Sequence, residues 1–551
     1  MKFKSNQQNM QHKQGENRDQ VFMFSLETAI AADSFVRVVD AFVEAIDLKS
    51  FGFAHVECPG EGRPPYHPAI LMKLYLYGYR YGIRTSRKLE REAQTNIEAM
   101  WLLSGLHPRY KTIADFRKNH AKAFREVFRR FVCLLKEWNL IDGETIAIDS
   151  FKIRGNNSLK NNFNDKKLKR HLEYIDAQIA EYESLLDSCD MEEDQKELQQ
   201  KINERKEKQS KYTTIQKELE ASGEEQLSLT DPDSRAVVLL RNIVNVGYNV
   251  QASSDSKYKL LIDYDTGTVN DTHALAPMAI STKELLQVDH ISVLADKGYH
   301  TGEQLQQCTQ ENITTYVSPK APATKDIGLY PVSSFIYDKE QDIYTCPGGS
   351  IMRTNGTWHR HSDNRKSGKG AYRFQRYNTP ACKTCKERKQ CTQSETNGRY
   401  IDRSEYAEVI EANARRVSEN PDYYRKRQQV TEHMFGTLKR QRGFTHVLVR
   451  GKEKVLGEVG LMFIGYNLTR CASILGVAKL INLLRERRSY SFNLEKCLFL
   501  SLFNQLLFYK MKMATWIMRI FYALKTDLIA LIDYIYYQKT GFCTDSRCNP
   551  F

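Results

Sequence analysis

The sequence predicts an α/β protein in which helical and β-rich parts alternate along the chain. Three observations carry this. Five short segments are rich in β-branched residues: TIAIDSFKI at 145–153, then VNVGYNVQASS, YKLLIDYDTG, HISVLADKGYH and ITTYVS. The stretches before and after them repeat apolar residues at helical spacing. Between the first two lies a Lys-, Glu- and Gln-rich segment, 164–221, with a heptad seam. The 551 residues, 41% apolar and 27% charged, leave room for several cores and exclude a disordered tail or a polytopic membrane protein.

Residues 1–20 are polar, lack the apolar core of a signal peptide, and read as a lead-in without fixed structure. From 21 to 140 the pattern is helical. HPAILMKLYLYGYRYG breaks at Gly82, and SRKLEREAQTNIEAMWLL resumes after a short turn, with Ser86 as the expected N-cap. Arg80, Arg84, Arg87, Lys88 and Arg91 decorate this helix–turn–helix, which suits either a DNA reader or the solvated face of a bundle.

In the heptad segment Leu168, Leu172, Ile175, Ile179, Tyr182 and Leu186 form one seam, and Leu198 and Ile202 open a second after DSCDMEED. That pattern predicts an antiparallel helical hairpin. Next come a β-hairpin turning at Asp255–Lys257, a strand ending on Asp296, a short helix and another strand. Residues 320–403 then form a β-rich insertion, helices return at about 404, and 477–551 is an apolar helical tail.

Lys+Arg number 81 against 67 Asp+Glu, a surplus of +14 that points first to nucleic acid. The tail has scattered cations rather than a basic polar face, so no membrane is expected. Three carboxylates occupy telling places. Asp149 sits inside an apolar strand, where a charge needs a partner. Asp296 ends a strand just before a glycine, and Glu432 lies on a helix in a basic stretch. Carboxylates on two strands and a helix can converge on Mg²⁺ or Mn²⁺, hard cations suited to phosphoryl transfer.

Twelve cysteines without an export signal favour reduced thiols, and one cluster stands out. Cys382, Cys385 and Cys391 follow a C-x₂-C-x₅-C spacing, with Cys346 in YTCPGG as a fourth thiolate for structural Zn²⁺, or His359 or His361 in its stead. Unligated thiols in a basic loop are the other reading.

The triple AIDS, LADKGYH and YYRKRQQVTEHMFGTLK resembles that of bacterial insertion-sequence DDE transposases, the group with a Tyr-Arg-Glu-Lys third motif. Asp296, Gly298 and Tyr299 match its Asp-x-Gly-x-Tyr. Lys439 stands seven residues after Glu432, and Tyr424 and Arg427 keep the Tyr-x-x-Arg spacing, although Arg427 precedes Glu432 by five residues where the pattern has four.

The resemblance implies a ribonuclease-H-like catalytic domain at 141–319 and 404–476, interrupted by the helical hairpin at 160–225 and by the insertion at 320–403, after a DNA-binding domain at 21–140. It implies metal-dependent strand cleavage and strand transfer by Asp149, Asp296 and Glu432. Tyr424, Arg427, Lys439, Tyr299 and Trp358 are then expected at DNA, with Trp358 either stacked on a flipped base or packed in the insertion's core. The expected partners are double-stranded DNA (the element's terminal inverted repeats and its target) and a second copy of the chain, in a bacterial cytoplasm at the nucleoid. A catalytically inactive, transposase-derived DNA-binding protein is the alternative.

Overall fold

The computed structural model describes residues 19, 23, 25–58, 64–189, 191–238, 243–267, 269–320, 328–361, 372–394 and 396–489. Most of the polar lead-in, the tail beyond Ser489 and Arg365, which neighbours Trp358 in sequence, lie outside them. Apart from the end of the last helix, every element below belongs to the unit Met1–Leu484.

The chain opens with helices α1 (Phe35–Glu44), α2 (Pro68–Arg80), α3 (Ser86–Thr95), α4 (Ile97–Leu102), α5 (Tyr110–Asn119) and α6 (Ala121–Glu137). Pro68 starts α2 without losing a needed N–H, and the His67 side chain caps it. Thr85 rather than Ser86 caps α3, its hydroxyl accepting from Lys88 N at 3.4 Å. Asn96 ends α3 and caps α4, splitting the single helix that the apolar spacing suggested.

Next comes β1 (Thr145–Arg154), followed by the hairpin α7 (Asp165–Asp187) and α8 (Glu192–Ser222). Leu168, Ile175 and Ile179 of the heptad seam are buried, as are Ile202, Ile215 and Leu219 opposite. The sheet continues with β2 (Arg235–Val238), β3 (Val244–Asp255), β4 (Leu261–Thr266), helix α9 (Leu275–Leu286), β5 (Ile291–Ala295), α10 (Gly302–Gln310) and β6 (Ile313–Val317). Its order is β4-β3-β1-β5-β6, with β2 beside β4 on the outer edge of β3. β3 runs antiparallel to β1 and β4, whereas β5 is parallel to β1 and β6.

A second, antiparallel sheet follows: β7 (Ile336–Asp338), β8 (Ile343–Thr345), β9 (Ile351–His361), β10 (Tyr372–Asn378) and β11 (Ile401–Ser404). Its core is six buried residues: Phe335, Tyr344, Met352, Tyr377, Cys391 and Ile401. The chain then forms α11 (Ala407–Glu419), α12 (Pro421–Gly436), α13 (Lys452–Leu475) and α14 (Val477–Ser489).

Helix α13 is apolar all round and buried from Val455 to Leu468. Its Phe463 ring meets Phe128 of α6 at 5.9 Å and Tyr264 of β4 at 5.0 Å. Gly457 lets α6 approach closely, since a Cβ there would stand 2.5 Å from the Ala121 Cα. The N-terminal helices and the main sheet therefore share one core. The expected boundary near 140 does not separate two cores.

At the centre of that core Glu458 is 0% exposed. Its carboxylate lies 3.7 Å from Arg84 and 3.8 Å from Arg117, and accepts from the Tyr79 hydroxyl at 3.1 Å and Leu448 N at 2.8 Å. Arg84, read from sequence as part of a basic surface, is buried in this cluster because Glu458 supplies its counter-charge. Arg87, Lys88 and Arg91 remain exposed on α3. Breaking a buried pair strands the opposite charge, so Glu458→Ala should cost about 3–5 kcal/mol in urea unfolding. An unchanged midpoint would mean that the two arginines do not depend on it.

Candidate active site

Asp149 projects from the middle of β1, between the buried Ile148 and the buried Phe151 a turn of the pleat further on. Its Oδ1 accepts from Ser150 N at 2.8 Å, and Oδ2 pairs with Arg427 Nη1 at 3.3 Å. Burial pushes its carboxyl up to about 6, against the lowering effects of the Ser150 N–H and the Arg427 guanidinium. The charge of Asp296 adds to the rise, and a hydrogen bond from Thr431 opposes it. Asp296 follows β5, the parallel neighbour of β1, which is why two carboxylates distant in sequence feel each other. Its Oδ1 accepts from Gly298 N at 2.7 Å, closing the short turn Lys297–Tyr299.

Helix α12 lies against β1 and β5. Arg427 and Thr431, one turn apart, face Asp149, while Tyr424 donates to Ala295 O at 3.2 Å, next to Asp296. Glu432 is the next residue on that helix and is exposed. Among the described residues no three His, Cys, Asp or Glu side chains are placed to hold a metal ion, so Glu432 is not brought together with Asp149 and Asp296 as the sequence led one to expect. The helix continues into a wider turn, Thr437–Gln441, that places the Lys439 ammonium 5.6 Å over the Phe151 ring. Burial lowers the Lys439 pKa, Lys152 lowers it further, and Asp149 opposes the shift.

Tyr299 is not at a DNA surface. It is 0% exposed, and its hydroxyl donates to Gln251 Oε1. Burial drives its pKa well up, with Asp271, Asp149 and Asp296 adding to the effect. Asp271 is the acid that the sequence reading missed. Its Oδ1 accepts from Asn249 Nδ2 at 2.9 Å and from Gln251 Nε2 at 2.8 Å. A Cβ on Gly298 would lie 2.9 Å from Asp296 Oδ1 and 3.5 Å from Asp271 Oδ2, so both carboxylates flank that glycine. No periodicity marks Asp271; the two buried amides on β3 would have been the only hint.

Trp358 is 48% exposed on β9, which removes the reading in which it packs the insertion's core. The Arg373 guanidinium lies 5.5 Å from its ring. His359 and His361 stack on Phe374 and Tyr372. The four cysteines gather elsewhere on the insertion, around one cavity.

A hard divalent cation fits the chemistry of the acidic donors. Asp149 and Asp296 offer carboxylate oxygens; burial chiefly raises Asp149 and the Asp296 charge adds to it, and a bound cation would offset both. Residues 345–472 match the family described as a transposase DDE domain, and residues 24–119 match the family described as a transposase domain (DUF772). Both matched segments carry transposase-domain descriptions, and together they support a DDE transposase of an insertion sequence. No curated protein matches. The cryo-EM structure of a piggyBac transposase synaptic complex with hairpin DNA is 10% identical over 83% of this chain and 79% of that one, with a TM-score of 0.31, an overlap too loose to argue from.

Asp271 and Asp296 flank the same glycine, Gly298. Asp271→Asn should therefore weaken Mn²⁺ binding, followed by electron paramagnetic resonance, by about 10- to 100-fold, the usual effect of losing a group that supports metal ligands. Unchanged affinity would remove Asp271 from the site.

Proposed function

We propose that this transposase cleaves DNA at the ends of its own element and joins the freed 3′-OH to target DNA, using a ribonuclease-H-like catalytic domain. The observation that carries the reading is the pairing of Asp149 and Asp296 on adjacent parallel strands, with α12 laid across both. The strand order, an antiparallel β3 on one side of β1 and the parallel β5 and β6 on the other, supports the fold assignment.

Asp149, Asp296 and Glu432 would hold Mg²⁺ or Mn²⁺, which when bound supplies charge stabilisation to the attacking and leaving oxygens. The chain's own groups do the rest. Arg427 balances Asp149 through Nη1, and in this reading the rest of its guanidinium meets a phosphate oxygen. Lys439 and Lys152 place two more cations beside β1. Tyr424 fixes α12 to the end of β5, which makes it a positioning residue rather than a DNA contact. Trp358 with Arg373 offers an exposed ring and cation to an unpaired base near the cleaved end. Two copies acting on paired ends complete the proposal.

Incubating the purified protein with Mg²⁺ and a labelled fragment carrying the element's own end tests this. Asp149→Asn, Asp296→Asn and Glu432→Gln should each take cleavage below detection and leave DNA binding nearly intact. Ca²⁺ should not replace Mg²⁺. A binder that never cleaves under these conditions would be the inactive derivative instead, and cleavage by Glu432→Gln at the parent rate would strike that residue from the set.

The exposed Arg87, Lys88 and Arg91 on α3 are the proposed phosphate contacts of the N-terminal helices. Changing all three to Glu should weaken end-binding and flatten the slope of log K against log salt by about three, because each phosphate contact releases roughly one counterion. An unaltered slope places the DNA elsewhere.

A further inference from the structure

The second sheet poses a stability problem. Five strands curl round six buried residues, a core of a size that usually needs a covalent or metal staple. Four cysteines arrive at that core from three segments. Cys346 follows β8 in a Cys-Pro-Gly-Gly turn, Cys382 and Cys385 lie in and after the turn Pro380–Lys383, and Cys391 ends the short helix Arg388–Cys391.

All four line one small cavity of about 20 Å³, room for a single water or small ion. A Cβ on Gly348 would lie 3.6 Å from Cys385 Sγ and 3.8 Å from Cys346 Sγ, so both sulfurs flank one glycine. On the other side, a Cβ on Gly398 would lie 2.7 Å from the Cys382 Cβ and 3.2 Å from its Sγ. Ser350 N donates to Cys346 Sγ at 3.3 Å, the kind of bond that supports a thiolate. Cys391 is close enough to feel the other three thiols. All four are free of disulfides. Arg388 and Arg399 border the same cavity and offset the negative charge that four thiolates leave on a divalent ion. His359 and His361, alternatives for Cys346 on spacing, are engaged with Phe374 and Tyr372 on β9 and do not border the cavity.

We propose that Cys346, Cys382, Cys385 and Cys391 bind a structural Zn²⁺ that staples the end of the second sheet. Among the described residues no three cysteines are placed to hold a metal ion as they stand, so binding requires the four side chains to turn toward the shared cavity. Four thiolates leave no position for water, so the ion has no catalytic part.

Full-length protein purified without chelators should carry about one zinc per chain by elemental analysis. Cys385→Ser and Cys391→Ser should each reduce this to below about a tenth, while Cys58→Ser, at an exposed cysteine, keeps it. Because either site variant could fail to fold, the parent protein is also stripped of metal and titrated with Co²⁺. Tetrahedral d–d bands with thiolate charge transfer, saturating at about one equivalent, support the site. Parent protein without zinc and without those bands overturns the proposal, as does a folded Cys385→Ser variant that keeps its metal.

Discussion

Glu458 carries a full charge into a helix that is otherwise apolar all round, and the assembly of the molecule turns on how that charge is met. A carboxylate with no access to water is tolerable only when cations and hydrogen-bond donors surround it. Here they come from three parts of the chain: Arg84, Arg117 and Tyr79 from the N-terminal helices, and Leu448 N from the loop before α13. Arg84 also donates to the carbonyls of Gly443 and His446. His446 in turn bridges to Arg154 at the end of β1. The basic helices, the strand that bears Asp149 and the segment that follows Lys439 are thereby held as one body.

At the acids the same physics runs with the opposite sign. Asp149 on β1 and Asp296 just after β5 stand close together, with Arg427 paired to Asp149 and Lys439 nearby, and burial raises the Asp149 carboxyl. A structural ion pair would be expected to look more like Glu458, with cations in excess. An acidic pair short of positive charge is suited to bind it, and Lys439 lies close enough to Lys152 and Asp149 to feel both charges. Asp271 extends the deficit, since its partners Asn249 and Gln251 are neutral amides.

What the sequence discloses depends on whether a residue's environment is local. Asp149 and Asp296 were legible because a charge inside or ending an apolar strand has few explanations, and the hairpin was legible from its heptad seam. Arg84 and Tyr299 misled because each stands among residues with another role: Arg84 beside exposed arginines, Tyr299 inside a motif. Their partners, Glu458 and Gln251, lie far away in sequence. Glu458 itself could have been found, since VLGEVGLMFIGY sets one acid in an apolar run, the same anomaly that exposed Asp149. Asp271 is harder to find, because no periodic pattern marks it in NDTHALAPM and its partners Asn249 and Gln251 lie on β3.

The second sheet shows how an exposed residue can be more telling than a buried one. Burial falls along β9 from Met352, which is fully enclosed, to the segment after the irregularity at Thr354–Trp358, where nearly every side chain faces solvent. A ribbon of this kind is marginal by itself, and cross-strand ring pairs help to hold it. His359 on Phe374 and His361 on Tyr372 meet that need on one face. Strand alternation puts Trp358 on the opposite face, with Arg373 and outside the ring ladder. The ribbon's stability therefore does not require an indole at this position, and leaving one in water forgoes the burial that makes tryptophan useful to a fold. That combination favours a contact made outside the chain, and an aromatic ring next to a guanidinium suits a nucleobase and its phosphate better than it suits another apolar surface.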